Sequence, residues 1–364
     1  MADRDVFRIA VFEGDGIGPE ITSPAIKLLD QVCERVSGVA LEYEYLDAGA
    51  LHYQKTGEAL PRHSIERAKS ADAVFLSAMG LPHIRKPDGT EITPQIQMRF
   101  ELDLYAGVRP VRIFEGQPTP LADPRAIDID FVIVRESTEG LFAYMNDGEI
   151  VDNAFATEKL KITRRVSEKL FDFSFRLAQR RARERGRQPR VTCVDKANVF
   201  RAFWFFRSIF EERARAFPEI GADAAYVDAF AMWMVQRPWE FDVAVTENMF
   251  GDILSDLAAG LMGSLGLAPS ADLGDEHGVF QPCHGSAPDI AGKGLANPAA
   301  MFLSGAMMLD WLSEKKANEN AGRASKMIEA AVGRVIKGGK YLTADLGGDA
   351  GTEDFSKAVL DALD

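Results

Sequence analysis

The sequence predicts an α/β protein with a largely parallel central sheet. Short apolar runs of the kind that form buried strands alternate with longer segments of helical periodicity. This alternation is typical of parallel sheets, because a parallel pair of strands needs a long crossover that is usually a helix. The predicted strands are 7–12, 41–46, 73–78, 131–134, 191–194, 224–227 and 243–245.

The first predicted strand, 7–12, leads into the glycine turn Gly14-Asp-Gly-Ile-Gly18. Pro19 and Glu20 then open a helix, since proline suits the first helical position and an acid suits the first turn. Segment 41–46 alternates apolar and acidic residues, as a half-buried strand does.

The later strand candidates are compact apolar runs bounded by charged or turn residues, and helical patterns lie between them. The clearest helix is predicted over 163–183, where apolar residues recur at spacings of four, three and four and therefore share one face. These residues are Val166, Leu170, Phe173 and Leu177.

The composition indicates a folded globular protein. Apolar residues make up 46% of the 364 residues, and at roughly 150 residues per domain this length predicts two or three folding units. The three cysteines are too few and too scattered for a disulfide framework or a zinc site, which favours a reducing compartment. The start Met1-Ala-Asp-Arg-Asp5 has no basic region ahead of a long apolar stretch, so we expect no secretory signal. No window holds 18 apolar residues without a charge, so we expect no membrane span and a cytoplasmic location.

The net charge of −13 argues against general binding to nucleic acid or to anionic membranes, because both would be repelled. Seven arginines between Arg176 and Arg190 could form a nucleic-acid patch. In so acidic a chain, a solvated helix end is the better interpretation. An acidic substrate would need positive charge concentrated locally.

Two carboxylates four residues apart, Asp252 and Asp256, fall on one face of a predicted helix. Adjacent carboxylates repel each other unless a cation or a proton compensates them, and such ligands suit Mg²⁺ or Mn²⁺ rather than zinc. Asp228, after an apolar strand, could be a third ligand. From the residues alone, a helix cap at Asp252 and a solvated Asp256 remain the commoner outcome.

Basic residues stand near the ends of predicted strands, where α/β proteins bind ligands. Arg99, Arg109 and Arg135 could each hold a carboxylate bidentately, although surface ion pairing explains any one of them. Lys196 could act as a base in a partly desolvated pocket. A strand-end salt bridge with Asp195 or another acid is the more common outcome.

Neither glycine-rich segment is a complete nucleotide motif. The turn after the first strand fails the Gly-x-Gly-x-x-Gly fingerprint at Pro19, which favours a tight turn before a helix. The segment 284–297 lacks the P-loop pattern. It could still cradle a nucleotide, with Asp289 accepting hydrogen bonds from ribose hydroxyls.

In this order the motifs resemble those of the β-decarboxylating dehydrogenases, the isocitrate/isopropylmalate dehydrogenase family, and overall the 3-isopropylmalate type most. The resemblance runs from Gly14-Asp-Gly-Ile-Gly-Pro-Glu20 to Gly351-Thr-Glu-Asp-Phe355. It implies a two-domain fold of the family's own type, without the usual Rossmann domain. Residues 1–104 and 263–364 would form a cofactor-binding domain, and 105–262 a substrate and dimerisation domain with an arm.

The resemblance also implies a homodimer with shared active sites, to which Lys196 and Asp228 reach across from the neighbouring subunit. Asp252, Asp256 and the partner's Asp228 would hold Mg²⁺ or Mn²⁺, which acidifies the substrate's 2-hydroxyl. Lys196 would assist the proton transfer. A dicarboxylic hydroxy acid would be bound by Arg99, Arg109, Arg135, Thr93 and Gln95.

The cofactor implied by the resemblance is NAD. An acidic residue at Asp289 favours free ribose hydroxyls and repels a 2′-phosphate. The residues that would bind the cofactor are His284, Gly285, Ser286, Ala287, Asp289, Ile290 and Asn297.

One departure from the family concerns the tyrosine that protonates the enolate left by decarboxylation. At its position, seven residues after Arg135, this chain has Phe142, which has no proton to give. Tyr144 follows two residues later, and residues i and i+2 of a strand share a face. We therefore expect Tyr144 to donate the proton, with water or a different substrate chemistry as the alternatives.

A second departure concerns the residues that select the substrate. Three and four residues before Arg99, where 3-isopropylmalate enzymes place leucines, this chain has Ile96 and Gln95. The serine and asparagine of isocitrate enzymes correspond to Thr93 and Gln95. A buried amide left unpaired against an isopropyl group costs roughly 1–3 kcal/mol. A 3-isopropylmalate-like substrate is therefore expected, with tartrate, D-malate, isocitrate or homoisocitrate as alternatives.

Two other classes of protein are less well supported. A non-catalytic regulatory subunit of the family would be expected to lack part of the metal-binding or arginine set, whereas the set is complete here. A metal-dependent hydrolase built on Asp252 and Asp256 leaves the loop 284–297 unexplained.

Overall fold

The computed structural model describes residues 5–363. Most of the N-terminal segment on which the absence of a secretory signal is predicted lies outside these residues, as does Asp364. The chain divides into two compact units. The first contains the residues up to Asp103, Phe114–Pro120 and the residues from Met262 onward, and the second contains Leu104–Ile113 and Leu121–Leu261. Within 5–363, no helix is long and apolar enough to cross a membrane.

The N-terminal part of the first unit alternates strands and helices. The strands predicted at 7–12, 41–46 and 73–78 are confirmed, with ends that shift by one or two residues. Its elements are β1 (Asp5–Phe12), α1 (Gly18–Val36), β2 (Val39–Tyr45), α2 (Ala50–Thr56), α3 (Arg62–Ser70), β3 (Ala73–Leu76) and α4 (Pro94–Glu101).

The second unit follows the same alternation and contains the four remaining predicted strands. Its elements are β4 (Ala106–Arg112), β5 (Asp130–Glu136), β6 (Glu149–Val151), β7 (Phe155–Thr157), α5 (Arg164–Arg185), β8 (Arg190–Asp195), α6 (Arg201–Ala214), β9 (Gly221–Tyr226), α7 (Val227–Gln236), β10 (Val243–Thr246) and α8 (Asn248–Leu261).

The C-terminal part of the chain completes the first unit. Phe114–Pro120 also belongs to this unit, although the sequence-based bounds assigned it to the middle domain. The side chain of Gln117 donates a hydrogen bond to the carbonyl of Met262. The remaining elements are β11 (Pro269–Leu273), β12 (Gly278–Pro282), α9 (Ala299–Lys316), α10 (Glu319–Gly338) and α11 (Thr352–Asp361).

In the first unit the strand order is β2-β1-β3-β12-β11. β1 pairs in parallel with β2 and β3, β12 pairs in parallel with β3, and β11 is antiparallel to β12. Because the carboxyl ends of β1 and β3 lie at one edge, the glycine turn after β1 meets the loop after β3. There the backbone N–H of Asp15 donates to the carbonyl of Ala78 over 2.8 Å.

In the second unit five strands follow the order β4-β5-β10-β8-β9, and their pairs are parallel except β4 with β5. The strands β6 and β7 form a separate antiparallel hairpin. The predicted fold class, α/β with a largely parallel sheet, is confirmed. The apolar-run criterion missed β4 because Arg109 and Pro110 interrupt it. The parallel arrangement brings the ends of β5, β10 and β8 to one edge, which places Arg135, Glu247 and Lys196 there.

Helices α5 and α6 pack through a cluster of phenylalanines. The ring of Phe171 lies 4.6 Å from Phe206 and 5.3 Å from Phe210, centroid to centroid. Of the predicted apolar face, Val166, Leu170 and Leu177 are buried, but Phe173 is only half-buried. Phe171 and Phe175 fill the core instead, because the buried face of α5 is wider than the spacing suggested.

The arginine-rich end of α5 is in part the solvated helix end that was expected, since Arg176, Arg183, Arg187 and Arg190 are exposed. Two other arginines differ. Arg181 is buried, and its Nε donates to Asp242 over 2.8 Å. Arg185 donates to the carboxylate of Asp130 over 2.6 Å. These two arginines therefore compensate carboxylates at the amino-terminal ends of β5 and β10 instead of extending into solvent.

We expect Phe171→Ala to lower the free energy of unfolding by about 3–5 kcal/mol, because it removes a fully buried ring from a close-packed cluster. Urea titration followed by far-UV circular dichroism measures the loss. The matched control is Phe173→Ala on the same helix. Removing this half-buried ring should lower the free energy of unfolding clearly less. Equal losses for the two variants would contradict this assignment of the core.

Candidate active site

The two aspartates of α8 lie beside two of the predicted arginines. Arg135 forms an ion pair with Asp252. Burial first, and then the negative charge of Asp252, raise the pKa of Asp256, while Arg135 and Arg109 oppose this rise. The second unit therefore brings Asp252, Asp256, Arg109 and Arg135 together.

A glycine allows α8 to pack this closely. A Cβ atom at Gly251 would lie 2.6 Å from Cγ of Arg135, so a side chain there would collide with the arginine stem. Glycine is otherwise unfavourable inside a helix. Gly251 therefore contributes to the candidate site, although the sequence analysis did not identify it. The sequence feature that could have indicated it is a glycine directly before Asp252.

Asn248 orients the Arg135 guanidinium. The buried Oδ1 of Asn248 accepts hydrogen bonds from Nε and Nη2 of Arg135 over 2.9 and 2.7 Å. Its Nδ2 donates to the carbonyl of Glu139 over 3.1 Å. The guanidinium carbon also lies 5.3 Å from the ring centroid of Phe142. Arg135 is 3% exposed, so its charge is held in one orientation from several sides.

Two buried glutamates flank this arrangement and were not predicted. Burial raises the pKa of Glu136 to about 7, although the backbone N–H groups of Thr138 and Glu139 oppose the rise. Glu247 precedes α8 and accepts hydrogen bonds from the N–H groups of Met249 and Phe250. Burial also raises the pKa of Glu247.

The segment that contains Tyr144 does not form a strand, so the shared-face argument made for Tyr144 does not apply. Phe142–Tyr144 is a short 3₁₀ helix, in which three residues complete a turn, so residues i and i+2 do not share a face. Phe142 lies over Arg135, whereas the Tyr144 ring centroid lies 5.7 Å from Nζ of Lys161. The role of Tyr144 stays a prediction, without the strand geometry that suggested it.

Lys196 pairs with Asp228. The Nζ atom lies 2.6 Å from Oδ1 of Asp228, and this hydrogen bond lowers the pKa of Asp228. The salt bridge predicted with Asp195 or another acid is therefore formed, and the acid is Asp228. The buried Asp195 is held instead by both Nε and Nη2 of Arg207 over 2.7 Å. This bidentate pair fixes the end of β8 just before Lys196.

Asp228 does not complete the acidic pair of α8 within one chain. Among residues 5–363, no group of three or more His, Cys, Asp or Glu side chains is arranged to hold a metal ion. A single chain therefore brings together Asp252 with Asp256 and, separately, Lys196 with Asp228.

The loop 284–297, which we call the cofactor loop, lies in the first unit. Nε2 of His284 is buried and has no hydrogen-bond partner within the described part of the chain, and burial lowers the pKa of this histidine. Asn297 donates to Asp345 over 2.9 Å, a contact that the sequence did not suggest. Gly285 and Asp289 are exposed, Ser286 is buried, and Ala287 and Ile290 are half-buried.

The segment predicted to select the substrate also lies in the first unit. Thr93 precedes α4, and Arg99 in that helix is buried and paired with Asp272 over 3.1 Å. Oε1 of Gln95 is buried without a hydrogen-bond partner among the residues described. An unpaired buried acceptor costs free energy, so this amide suits a ligand that can donate a hydrogen bond.

The model of the isocitrate/isopropylmalate dehydrogenase family matches residues 8–359. The chain is 42% identical to the 3-isopropylmalate/3-methylmalate dehydrogenase of Methanocaldococcus jannaschii, over 97% of each chain. It is 41% identical to the isocitrate/homoisocitrate dehydrogenase of Thermus thermophilus, over 98% of each. The solved isocitrate dehydrogenase of Methylococcus capsulatus superposes with a TM-score of 0.84 at 37% identity, over 98% of this chain and 99% of the other.

Fold and relatives together define an oxidative decarboxylating dehydrogenase. The chain belongs to the isocitrate/isopropylmalate dehydrogenase family. Family membership, inferred from the motifs, is therefore confirmed. Members of this family typically use NAD(P) and a divalent metal. The names of the similar proteins divide between isopropylmalate and isocitrate or homoisocitrate, so the family alone leaves the substrate open.

We expect Glu136→Gln to flatten the pH dependence of stability. The pKa of Glu136 is about 7 in the fold and about 4.5 when exposed, so folding favours its protonated form. That contribution is complete below pH 4.5 and is lost as the pH rises through 7. Melting temperatures between pH 5 and 8 should fall in the wild type and fall less in the variant.

The matched control is Glu184→Gln, a change at an exposed position on α5. It should leave the pH slope of the wild type unchanged. If Glu136→Gln showed the same slope as wild type, the assignment of this titration to Glu136 would be wrong.

Proposed function

We propose that this enzyme oxidises a 3-substituted malate, a 3-isopropylmalate-like 2-hydroxy acid, with NAD and a divalent metal and with β-decarboxylation to a 2-keto acid. The observation that carries the proposal is the cluster in the second unit in which Arg109 and Arg135 lie beside Asp252 and Asp256. It combines positive charge for carboxylates with oxygen ligands for a cation. Neither part alone would favour this chemistry.

The acidic pair fits Mg²⁺ or Mn²⁺. Asp252 and Asp256 are hard oxygen ligands. Burial and then the charge of Asp252 raise the pKa of Asp256, so a divalent cation would stabilise the ionised pair. When bound, the metal supplies a Lewis acid to the 2-hydroxyl and 1-carboxylate of the substrate. The third protein ligand would be the partner's Asp228.

The arginines would hold the substrate carboxylates. Arg135 is preorganised by Asn248, so little side-chain freedom is lost when a carboxylate binds. Arg109 and Arg99 would provide further cationic contacts. Lys196 would move the proton of the 2-hydroxyl, with its position fixed by the neighbouring Asp195–Arg207 pair.

The cofactor loop would bind NAD. Its exposed Asp289 could accept hydrogen bonds from both ribose hydroxyls and would repel a 2′-phosphate. The buried, unpaired Nε2 of His284 provides a further polar contact for a dinucleotide. Asp289 is therefore proposed as the residue that makes NAD preferred over NADP.

A homodimer is proposed from the exposed apolar side chains of the second unit. Large apolar side chains that stay exposed often mark interfaces. Trp204 near the start of α6 is 63% exposed, Met232 on α7 is 50% exposed and Ile253 on α8 is 63% exposed. On the β6–β7 hairpin, the proposed arm, Ile150 is 79% exposed. A second copy of the chain that covers these faces would also supply the third metal ligand, the partner's Asp228.

A second candidate substrate is favoured by Gln95. Its buried, unpaired Oε1 would accept a hydrogen bond from a hydroxyl group, which tartrate carries at C3 and 3-isopropylmalate does not. D-malate, isocitrate and homoisocitrate stay alternatives on the polar character of Thr93 and Gln95. The substrate class is the same in each case, and only the group at C3 differs.

A single assay tests cofactor, metal and substrate together. We expect absorbance at 340 nm to rise with NAD, Mn²⁺ and at least one 3-substituted malate, and activity to disappear with a chelator and return with Mn²⁺. The ratio of kcat/KM should favour NAD over NADP, and Asp289→Lys should reduce that ratio. A clear NADP preference in the wild type would refute the assignment of Asp289.

The proton donor is tested by a pair of variants. If Tyr144 protonates the enolate, Tyr144→Phe should lower kcat by about 10²–10⁴-fold and change the partition between the keto products. Adding Phe142→Tyr to that variant should restore part of the loss, because it returns a phenol over Arg135. An unchanged kcat in Tyr144→Phe would assign protonation to water instead.

A further inference from the structure

We infer that the turn Gly14–Glu20 holds the cofactor loop in place through hydrogen bonds. In this inference Glu20 is a positioning residue that sets the affinity for the dinucleotide. This inference rests on the proposed NAD site. The turn was puzzling as a sequence feature, because its glycines suggest a phosphate-binding fingerprint that it does not complete. The hydrogen bonds of this turn instead connect it to the cofactor loop.

Glu20 lies in the first turn of α1 and its carboxylate is surrounded by donors from distant parts of the chain. Oε2 accepts a hydrogen bond from the backbone N–H of Gly292 over 3.0 Å, and Oε1 accepts one from that of Ala296 over 3.2 Å. The hydroxyl of Thr352, at the start of α11, lies 2.8 Å from Oε1. One carboxylate thus holds the second half of the cofactor loop and the start of a helix.

The other end of the loop is held by the same turn. The backbone N–H of Ile17 donates to the carbonyl of Ser286 over 2.8 Å, and the hydroxyl of Ser286 donates to the carbonyl of Gly80. Gly16 has a φ of +60°, and a Cβ there would overlap the carbonyl of Ser286. Only glycine allows this approach.

Asp15 makes the turn itself rigid. It is 1% exposed, and its carboxylate accepts hydrogen bonds from the backbone N–H groups of Ala50, Leu51 and Gly80 over 2.7–2.9 Å. The Gly80 that donates to Asp15 is also the residue whose carbonyl receives Ser286. The turn therefore acts as a fixed support for both ends of the cofactor loop.

The residues proposed to contact the ribose, Asp289 and Ile290, lie between these two supports. Glu20 is not a ligand in this arrangement, because both of its oxygens already accept hydrogen bonds from backbone N–H groups. Losing its charge-assisted hydrogen bonds would release the loop between residues 290 and 296. The released loop would have to be ordered again when the dinucleotide binds, which weakens binding without touching the reacting atoms.

The test compares Glu20→Ala and Glu20→Gln with Glu34→Gln, a matched change at an exposed position of the same helix. We expect Glu20→Ala to raise the dissociation constant and KM for NAD by roughly 10- to 100-fold, and Glu20→Gln by less. The KM for the hydroxy acid and kcat at saturating NAD should change less than about twofold. Amide hydrogen exchange should become faster over 290–296, and Glu34→Gln should match wild type.

The outcomes separate this inference from the proposed function. If Glu20→Ala binds NAD like wild type with unchanged exchange, or lowers kcat while KM for NAD stays the same, the positioning role is wrong. If wild type binds neither NAD nor NADP, the proposed function fails and the affinity part of this inference fails with it. The exchange data would still decide whether Glu20 holds the loop.

A second pair of variants covers the case in which Glu20→Ala does not fold. Thr352→Val removes the hydroxyl that lies 2.8 Å from Oε1 of Glu20 and 2.6 Å from the carbonyl oxygen of Ala296, and Thr352→Ser keeps it. This pair therefore tests whether the contacts around Glu20 hold the cofactor loop. We expect Thr352→Val to raise KM for NAD by about 2- to 10-fold and Thr352→Ser to leave it unchanged. Equal values of KM for these two variants would overturn the inference.

Discussion

A buried guanidinium is the constraint around which the candidate site in the second unit is built. Arg135 is 3% exposed, and a buried charge without partners would be strongly destabilising. Asn248 and Asp252 supply the acceptors, and the ring of Phe142 covers the remaining face. These contacts fix β5, the start of α8 and the segment after β5 relative to one another, so the site and the packing of this unit depend on the same charge.

The sequence predicted the features that depend on periodicity and on local chemistry. Seven of the parallel strands follow from apolar runs, whereas β12, which is parallel to β3, was not predicted. The acidic pair follows from the spacing of Asp252 and Asp256. β4 was missed because Arg109 and Pro110 hide its apolar pattern, although both fit a strand antiparallel to β5. The partners of Arg135 could not be predicted, since Asn248 is 113 residues away. The 3₁₀ helix at Phe142–Tyr144 has no periodicity long enough to recognise.

The turn Gly14–Glu20 shows how a motif can stay unexplained after its sequence has been analysed. The turn fails the dinucleotide fingerprint at Pro19, and a tight turn before a helix was the remaining interpretation. The residue pattern of the turn does not show which residues contact Glu20. Gly292, Ala296 and Thr352 are more than 270 residues from Glu20, so the use of its carboxylate becomes visible only in three dimensions.

The ion pairs at the end of α5 have a consequence for how this scaffold can change. Arg181 and Arg185 join Asp242 and Asp130 at the amino-terminal ends of β10 and β5, whereas Arg135 and Lys196 stand at the carboxyl ends of β5 and β8. In the second unit, one rim of the sheet is therefore cross-linked by charge, and the opposite rim carries the residues proposed to act on the substrate. Such a division lets the opposite rim vary while the cross-linked rim keeps the strands in register. Similar proteins named for isopropylmalate, isocitrate and homoisocitrate are what a scaffold divided in this way would allow.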